Sequence, residues 1–136
     1  MDNTFCMKQA KEEMDFRRVK ELLAQTYWAN KREEEKIRIS MENSLCYGAF
    51  TKEEDKQIGF ARVITDFATT YYICDVIVDE KYRGIGVGKA LVEMITTDSR
   101  LQKMRGLLLT QNAHGLYQQF GFKQVDGIYM GKQIED

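Results

Sequence analysis

The 136-residue sequence has no proline, one histidine, three cysteines and no long hydrophobic run. His114 is the single histidine, which excludes a histidine-rich metal site. The cysteines, Cys6, Cys46 and Cys74, are odd in number, far apart and without C-x-x-C spacing, which argues against a disulfide framework and against a zinc site. We therefore expect three reduced thiols, no metal ion and a cytoplasmic location.

Other absences restrict the class of protein. No apolar stretch approaches the roughly 18 residues that a membrane span needs, and the polar N-terminal region lacks a signal-peptide core. Lys and Arg number 20 against 21 Asp and Glu, so the net charge of −1 argues against a broad affinity for nucleic acid. Length and composition suit one globular domain over residues 1–136, with neither nucleic acid nor membrane as a partner.

Hydrophobic periodicity predicts the element order β-α-α-β-β-β-α-β-α-β-β. The predicted strands span residues 4–9, 45–51, 57–65, 71–78, 106–110, 122–125 and 128–132, and the predicted helices begin after Asp15, near Arg32, after a glycine-rich turn and at Ala113. The charged run 32–36 is interpreted as the solvated face of the second helix. Asp126-Gly127 is a strong hairpin signal between the last two strands.

The lengths of the connections predict how these strands are arranged. Short loops make the three middle strands antiparallel, whereas the unit from residue 71 to residue 110 is long enough for a right-handed parallel crossover. We therefore predict an α/β (α+β) fold: a mixed, mostly antiparallel sheet of about seven strands with helices on both faces.

Three alternating glycines follow the most apolar strand. The sequence from Val76 to Lys89 reads V-I-V-D-E-K-Y-R-G-I-G-V-G-K. Glycines allow a ligand to approach the backbone, the next helix offers unpaired N–H groups, and Arg83 and Lys89 add positive charge. A dinucleotide fingerprint would need glycine in place of Lys89, and a P-loop would need glycine in place of Arg83 and Ser or Thr in place of Ala90. The pattern predicts a pyrophosphate-binding turn of another type, although glycines alone would also suit a tight turn.

A second motif runs from Ala113 to Phe122 and reads A-H-G-L-Y-Q-Q-F-G-F. It resembles the closing A-x-x-L-Y-x-x-x-G-F signature of the GCN5-related N-acetyltransferase (GNAT) family, and the glycine motif resembles that family's acetyl-CoA loop, Arg/Gln-x-x-Gly-x-Gly/Ala. The sequence departs from these family motifs at two positions: Thr110, where many members have asparagine, and Glu80, where many have proline. The resemblance implies a single-domain GNAT-like fold, acetyl-CoA as donor, coenzyme A as product and N-acetyltransferase activity.

The resemblance also implies how acetyl-CoA is held. The pantetheine arm lies along the strand that ends at Val78 and pairs with its backbone as an extra strand would. The N–H of Val76 is the candidate donor to the oxyanion, and the N–H groups of Val76 to Val78 point at the thioester. The remaining cofactor-binding candidates are Ile77, Val78, Arg83, Gly84, Ile85, Gly86, Val87, Gly88 and Lys89.

The matched motif makes Tyr117 the candidate general acid for the departing thiolate, with a core aromatic as the alternative. Asp75 is the only acid inside the apolar strand, and it is either the general base or an ion-pair partner of Arg62. Asp66 is the second candidate base, and a base acting through water also fits. His114 is expected to line the cleft, with catalysis as the less favoured role.

The acceptor site is expected where the loop between the first two helices meets the sheet. The candidates are aromatic residues, Tyr27, Trp28 and Tyr72, with Tyr71 beside them, which would wall a pocket or hold a cationic amine. They would equally suit ordinary packing. The acceptor, a small molecule or a peptide amine, is not identified by the sequence. The alternatives to an enzyme of this kind are a non-catalytic acetyl-CoA-binding domain and a nucleotide-binding enzyme, and the family resemblance admits a homodimer.

Overall fold

Five strands form one sheet in which neighbours in the chain are also neighbours in space. The computed structural model describes residues 4–132. The strands are β1 (Phe5–Lys8), β2 (Leu45–Thr51), β3 (Gln57–Thr65), β4 (Thr70–Val78) and β5 (Arg105–Leu108). Their order in the sheet is β1-β2-β3-β4-β5, with antiparallel pairing up to β4 and parallel pairing of β4 with β5. The antiparallel middle strands and the parallel crossover are therefore confirmed.

Helices cover both faces of this sheet. They are α1 (Phe16–Leu23), α2 (Glu34–Glu42), α3 (Val87–Thr97) and α4 (His114–Gln118). Asp15 caps α1 as predicted, with its carboxylate accepting from the N–H of Arg18 at 3.3 Å. Within residues 4–132 no helix is long and apolar enough to cross a membrane.

Each face of the sheet has its own apolar cluster. On one face α1 and α2 bury Val19 and Ile37 against Phe60 and Ile77, and on the other face α3 buries Leu91 against the sheet. The predicted helices on both faces are thus confirmed. The crossover helix α3 thus lies on the opposite face of the sheet from α1 and α2.

The prediction of about seven strands is wrong for the part of the chain that is described. Residues 122–125 and 128–132 form no strand, and the chain order ends with α4 rather than with two strands. The turn at Asp126-Gly127 does form, with Gly127 at φ 75°. Val125, Ile128 and Met130 are exposed, so no buried face stabilises a ladder, and an isolated two-stranded hairpin is marginal in water. The one-domain prediction also includes residues 1–3 and 133–136, which lie outside the described residues.

A bulge in β4 changes which residues face which helices. Arg62 pairs with Asp75 but Val63 pairs with Ile73, so Cys74 is an extra residue on β4. Ile73 therefore belongs to the α3 cluster, whereas Ile77 belongs to the α1 cluster, although both have odd numbers. The bulge directs Asp75 toward the α1 and α2 face of the sheet.

In the described part of the chain, β4 has a strand partner on one side only beyond this bulge. The pairing of β4 with β5 runs from Thr70↔Arg105 to Ile73↔Leu108 and ends there, whereas pairing with β3 continues to Val78. We call residues 74–78 on the side away from β3 the open edge. Backbone groups along an open edge are available to an added strand-like ligand.

Candidate active site

The peptide groups of the open edge alternate in direction. The N–H of Asp79 donates to the carbonyl of Ile58 on β3 at 2.8 Å, so alternate residues back along β4 also face β3. The N–H groups of Val76 and Val78 consequently face the open edge, where the sequence predicts thioester contacts. Ile77 differs, because its peptide group faces β3 and its side chain is buried in the α1 cluster. Only two of the three predicted N–H groups face the open edge.

The glycine-rich turn joins the open edge to α3. Gly84 and Gly86 have φ values of 86° and 94°, and a Cβ on either would meet nothing within 4 Å. Gly86 precedes α3, whose first intrahelical bond runs from the N–H of Ala90 to the Gly86 carbonyl at 3.0 Å. Within residues 4–132 the N–H groups of Val87, Gly88 and Lys89 therefore have no hydrogen-bond partner, and no side chain caps them. Free donors beneath open space suit a phosphate.

The other predicted residues of this turn divide between surface and core. Arg83 and Lys89 are exposed, and Arg83 Nε donates to the Val78 carbonyl at 3.3 Å, which keeps its guanidinium beside the open edge. Ile85 is half-buried and Val87 is buried in the α3 cluster, so these two side chains hold the turn against the sheet. The cationic residues of the motif thus lie at the surface, whereas its apolar residues pack against the sheet.

A residue that the sequence analysis did not single out holds this turn in place. Asp79 is 4% exposed and accepts from the Lys81 N–H at 3.0 Å and from Arg18 Nη2 at 2.7 Å. Burial favours a raised pKa for Asp79, but these hydrogen bonds outweigh it and the pKa lies below its ordinary value. The signal for this role was present, since Asp79 directly follows an apolar strand and precedes the turn.

Tyr117 lies on the short helix α4 and is 9% exposed. Its ring meets the ring of Phe122 edge-on, with 6.1 Å between centroids. Burial raises the pKa of Tyr117 to about 12, so the hydroxyl is protonated at neutral pH. Tyr117 and His114 line a cavity of about 1010 Å³ together with Leu108 and Tyr72. A buried and protonated hydroxyl suits the predicted acid and also the alternative of a core aromatic.

Thr110 stands where many members of the resembled family have asparagine. Its hydroxyl accepts from the N–H of Ala113 at 3.0 Å, just before α4 begins. In this chain the hydroxyl therefore orders the loop that leads to His114 and Tyr117.

Asp75 lies at the centre of a cluster that we call the arginine cluster: Trp28, Arg32, Arg62 and Asp75. Trp28 Nε1 donates to Oδ1 at 3.0 Å, and Oδ2 accepts from Arg62 Nε at 2.8 Å and from Arg32 Nη1 at 3.1 Å. Burial favours a raised pKa for Asp75, but the two guanidinium groups outweigh it and the pKa lies below its ordinary value. The alternative ion pair with Arg62 is thus present, and it favours a structural role over the still untested role of general base.

The prediction that the run 32–36 is a solvated face is wrong for Arg32. Its side chain is 20% exposed and reaches a carboxylate that is 1% exposed. The reason is electrostatic, since a buried carboxylate needs more than one charge-assisted partner and Arg32 follows the loop nearest to it. An acid inside an apolar strand was the signal that such partners exist.

The second candidate base is a turn residue at the other end of β4. Asp66 accepts from the N–H groups of Thr69, Ala68 and Thr70, between β3 and β4. These hydrogen bonds, above all those from Thr69, hold the pKa of Asp66 below its ordinary value. Asp66 precedes the beginning of β4 at Thr70, whereas the open edge is at its end, so the fold does not bring Asp66 to the open edge.

The aromatic candidates for the acceptor site are distributed around the arginine cluster. Tyr27 and Trp28 are 59% and 45% exposed, with their rings edge-on at 5.1 Å. Tyr72 is half-buried, whereas Tyr71 packs over Gly106 in the α3 cluster. Cys74 forms the bulge, and burial raises the pKa of its thiol, so it is a poor nucleophile. The two exposed rings leave a surface on which a ligand can lie.

The chain is similar to known acetyltransferases in sequence and in fold. The family model of the acetyltransferase (GNAT) domain matches residues 42–124, which include both motifs and the open edge. The protein belongs to the GNAT family. A crystal structure of a GNAT-family member from Xanthomonas campestris is 32% identical and superposes with a TM-score of 0.87 over 96% of this chain and 93% of that chain.

Two further acetyltransferases are similar to the chain, one in sequence and one in fold. The chloroplastic GCN5-related N-acetyltransferase 2 of Arabidopsis thaliana is 40% identical over 75 residues, which are 53% of this chain and 29% of that protein, so the chain spans less than a third of its length. The aminoglycoside N-acetyltransferase AAC(6')-Iy, solved in complex with CoA, has the same fold with a TM-score of 0.73 at 14% identity, over 98% of this chain and 97% of that chain.

Proposed function

We propose that the protein is an acetyl-CoA-dependent N-acetyltransferase that moves the acetyl group to a primary amine of a small molecule or peptide. The observation that carries this proposal is the continuity of the open edge with the free N–H groups at the start of α3. One element suits the extended arm of a thioester and the other suits its diphosphate. Membership of the GNAT family supports the same donor.

The residues fit acetyl-CoA by their chemistry. Val87, Gly88 and Lys89 would hold the diphosphate by their N–H groups, and exposed Arg83 and Lys89 would add charge. Val76 and Val78 would hold the arm through the N–H groups that face the open edge. Gly84 and Gly86 have no Cβ atoms, and a Cβ on either would project into open space beside the turn, so the absence of side chains leaves that space to the diphosphate.

The proposed chemistry is direct attack by a neutral amine on the thioester. A C–N bond forms, the carbonyl oxygen becomes an oxyanion, and the C–S bond then breaks. The N–H of Val76 stabilises the oxyanion, which is worth roughly 10²–10³ in rate for a well-aimed donor. Tyr117 gives its proton to the departing thiolate, and its pKa of about 12 keeps that proton available. The amine loses its proton to water or to a base that the fold does not identify.

Two measurements test the proposal: the binding of acetyl-CoA and its turnover with amines. Calorimetric titration with acetyl-CoA should show one site, and Arg83→Met should weaken that binding about tenfold, as expected for the loss of a charge-assisted contact. Thiol release across a panel of primary amines should exceed the rate without amine. If acetyl-CoA binds but no amine causes thiol release, a non-catalytic acetyl-CoA-binding domain is favoured. If ATP binds more tightly than acetyl-CoA, a nucleotide-binding enzyme is favoured.

Two wider properties belong to the proposal. A homodimer is supported by exposed apolar residues, among them Leu107, Leu109 and Met130, on and beside the edge of β5 that no strand of residues 4–132 covers. Light scattering in solution tests it. The three cysteines are free thiols, which supports a cytoplasmic location. Fractionation of the source cells tests the location.

A further inference from the structure

The arginine cluster carries more positive than negative charge. Arg32 and Arg62 share one carboxylate oxygen, Asp75 Oδ2, at 3.1 and 2.8 Å. Within residues 4–132 neither arginine forms an ion pair with another acid. Two guanidinium groups and one carboxylate leave a net charge of +1. The surroundings are only partly open to water, so this charge is weakly screened.

The cluster also has more hydrogen-bond donors than acceptors. A guanidinium offers five N–H donors. Arg32 uses Nη1 for Asp75, and Arg62 uses Nε for Asp75 and Nη1 for Ser44 Oγ at 3.1 Å. In the described part of the chain the remaining N–H groups of Arg32 have no hydrogen-bond partner, and its side chain is 20% exposed. Arg32 is thus held in place by one bond while the rest of its donors face outward.

The position of the cluster connects these donors to the open edge. Asp75 and Val76 are consecutive residues, and their Cα atoms are therefore about 3.8 Å apart. Asp75 faces α1 and α2, whereas the N–H of Val76 faces the open edge. Because Arg32 binds the side chain of the residue next to Val76, a small molecule bound at Arg32 would be near the place proposed for the thioester.

The charge of the cluster also affects the amine. A nearby positive charge disfavours the ammonium form and lowers the pKa of the amine. Since only the neutral amine attacks a thioester, such a neighbour helps the reaction and argues against recognition of the acceptor as a cation. The anchor that the cluster offers is therefore for a negative group elsewhere on the same molecule.

We infer that the acceptor is a primary amine that also carries a carboxylate or a phosphate, and that Arg32, with Arg62 behind it, binds this anion next to the exposed rings of Tyr27 and Trp28. The inference rests on the proposed function and specifies its acceptor. Planar guanidinium groups match carboxylate and phosphate oxygens, and the two rings provide a surface for an apolar part of the molecule.

The experiment compares acceptors that differ only in the anion. Phenylalanine is paired with phenethylamine, and O-phosphoethanolamine with ethanolamine, at saturating acetyl-CoA. The anionic member of at least one pair should have the higher kcat/KM, by about 10- to 100-fold, and the responding pair tells carboxylate from phosphate. Arg32→Met should abolish this preference and leave the KM for acetyl-CoA unchanged. Arg17→Met removes a matched charge from the exposed face of α1 and should keep the preference.

A second measurement does not depend on turnover. Trp28 is the only tryptophan of the chain, and its indole binds Asp75 within the cluster, so its fluorescence reports on ligands there. Phenylalanine or O-phosphoethanolamine should change the emission saturably, whereas phenethylamine and ethanolamine, which lack the anion, should not. Equal or better use of the amines that lack an anion, together with unchanged emission, would overturn the inference while leaving acetyl transfer intact. Loss of turnover on every amine would instead refute the proposed function, and the emission would still decide whether anions bind.

Discussion

Arg18 on α1 binds Asp79, the residue that follows β4, with 2.7 Å between Nη2 and Oδ2. The same guanidinium donates from Nε to the carbonyl of Gln57 at 2.8 Å. The first helix is thereby attached both to the beginning of β3 and to the turn that leads to the glycine motif. The position of the turn proposed to bind the diphosphate thus depends on a helix on the opposite face of the sheet from α3.

Asp79→Asn should therefore affect both stability and acetyl-CoA binding. Asp79→Asn removes the charge that binds Arg18 Nη2, while Arg18 Nη1 keeps its ion pair with Glu21 at 2.7 Å. Because the Arg18 and Asp79 side chains are only 16% and 5% exposed, the loss of this charge-assisted bond should cost about 2 kcal/mol. Urea unfolding should give a loss of this size. Calorimetry at a temperature where the variant is folded should give weaker acetyl-CoA binding.

The matched control is an ion pair on the surface. Lys20 and Glu34 are 2.9 Å apart with both side chains about half exposed. Because exposed ion pairs contribute little to stability, Glu34→Gln should leave both the free energy of unfolding and acetyl-CoA binding nearly unchanged. Equal losses for Asp79→Asn and Glu34→Gln would contradict the argument.

The sequence predicted the centre of the fold well because its signals there are local. Alternation defined β3, an apolar run defined β4, and glycines with positive φ marked the turn into α3. The prediction of the last two strands was wrong because a strand pair depends on more than local sequence. Asp126-Gly127 specifies a turn by its own chemistry, but a ladder also needs a buried face, and Ile128 and Met130 are exposed.

The candidate site was predicted only where a motif carried it. The bulge at Cys74 is invisible in an apolar run, yet it decides that Asp75 faces α1. The contact of Arg32 with Asp75 joins residues 43 positions apart, and that of Arg18 with Asp79 joins residues 61 positions apart. Periodicity reports on neighbours along the chain, so such partners follow only from the requirement that buried charges be paired.

Gly86→Ala should weaken acetyl-CoA binding through the backbone. Gly86 has φ 94°, and a left-handed conformation costs a residue with a Cβ about 1–2 kcal/mol. We expect the turn to relax and the affinity measured by calorimetry to fall about tenfold. Gly127→Ala is the matched control, since Gly127 has φ 75° and equally open space but lies outside the cofactor turn. A similar loss of affinity in both variants would show that the effect is one of general stability.

Tyr117→Phe should lower kcat by about 10²-fold or more, because a positioned proton donor contributes at least that much. The affinity for acetyl-CoA should stay unchanged. The pKa of about 12 implies that wild-type turnover does not fall between pH 7 and pH 10 through deprotonation of this tyrosine. Tyr129→Phe removes a hydroxyl from an exposed residue of the same cavity and should leave kcat unaltered. Full turnover by Tyr117→Phe would assign Tyr117 to the core alone.

Asp98 should make stability depend on pH in the acid range. It lies at the end of α3, where Oδ2 accepts from the Tyr47 hydroxyl and from Arg100 Nη2, each at 2.7 Å. Burial favours a raised pKa for Asp98, but these bonds outweigh it and lower the pKa to about 2. A carboxyl with a lowered pKa stabilises the fold above its unfolded value of about 4, and this contribution is lost as pH falls toward the folded value.

Asp98→Asn should accordingly lower the free energy of unfolding by about 2 kcal/mol at pH 7, and the difference from the wild type should shrink toward zero near pH 2. Urea unfolding at a series of pH values measures it. Glu93→Gln, which neutralises an exposed carboxylate on the same helix, should change stability by less than about 0.5 kcal/mol at every pH. A difference for Asp98→Asn that stayed constant from pH 7 to pH 2 would show that packing, rather than the ionised carboxylate, stabilises the end of α3.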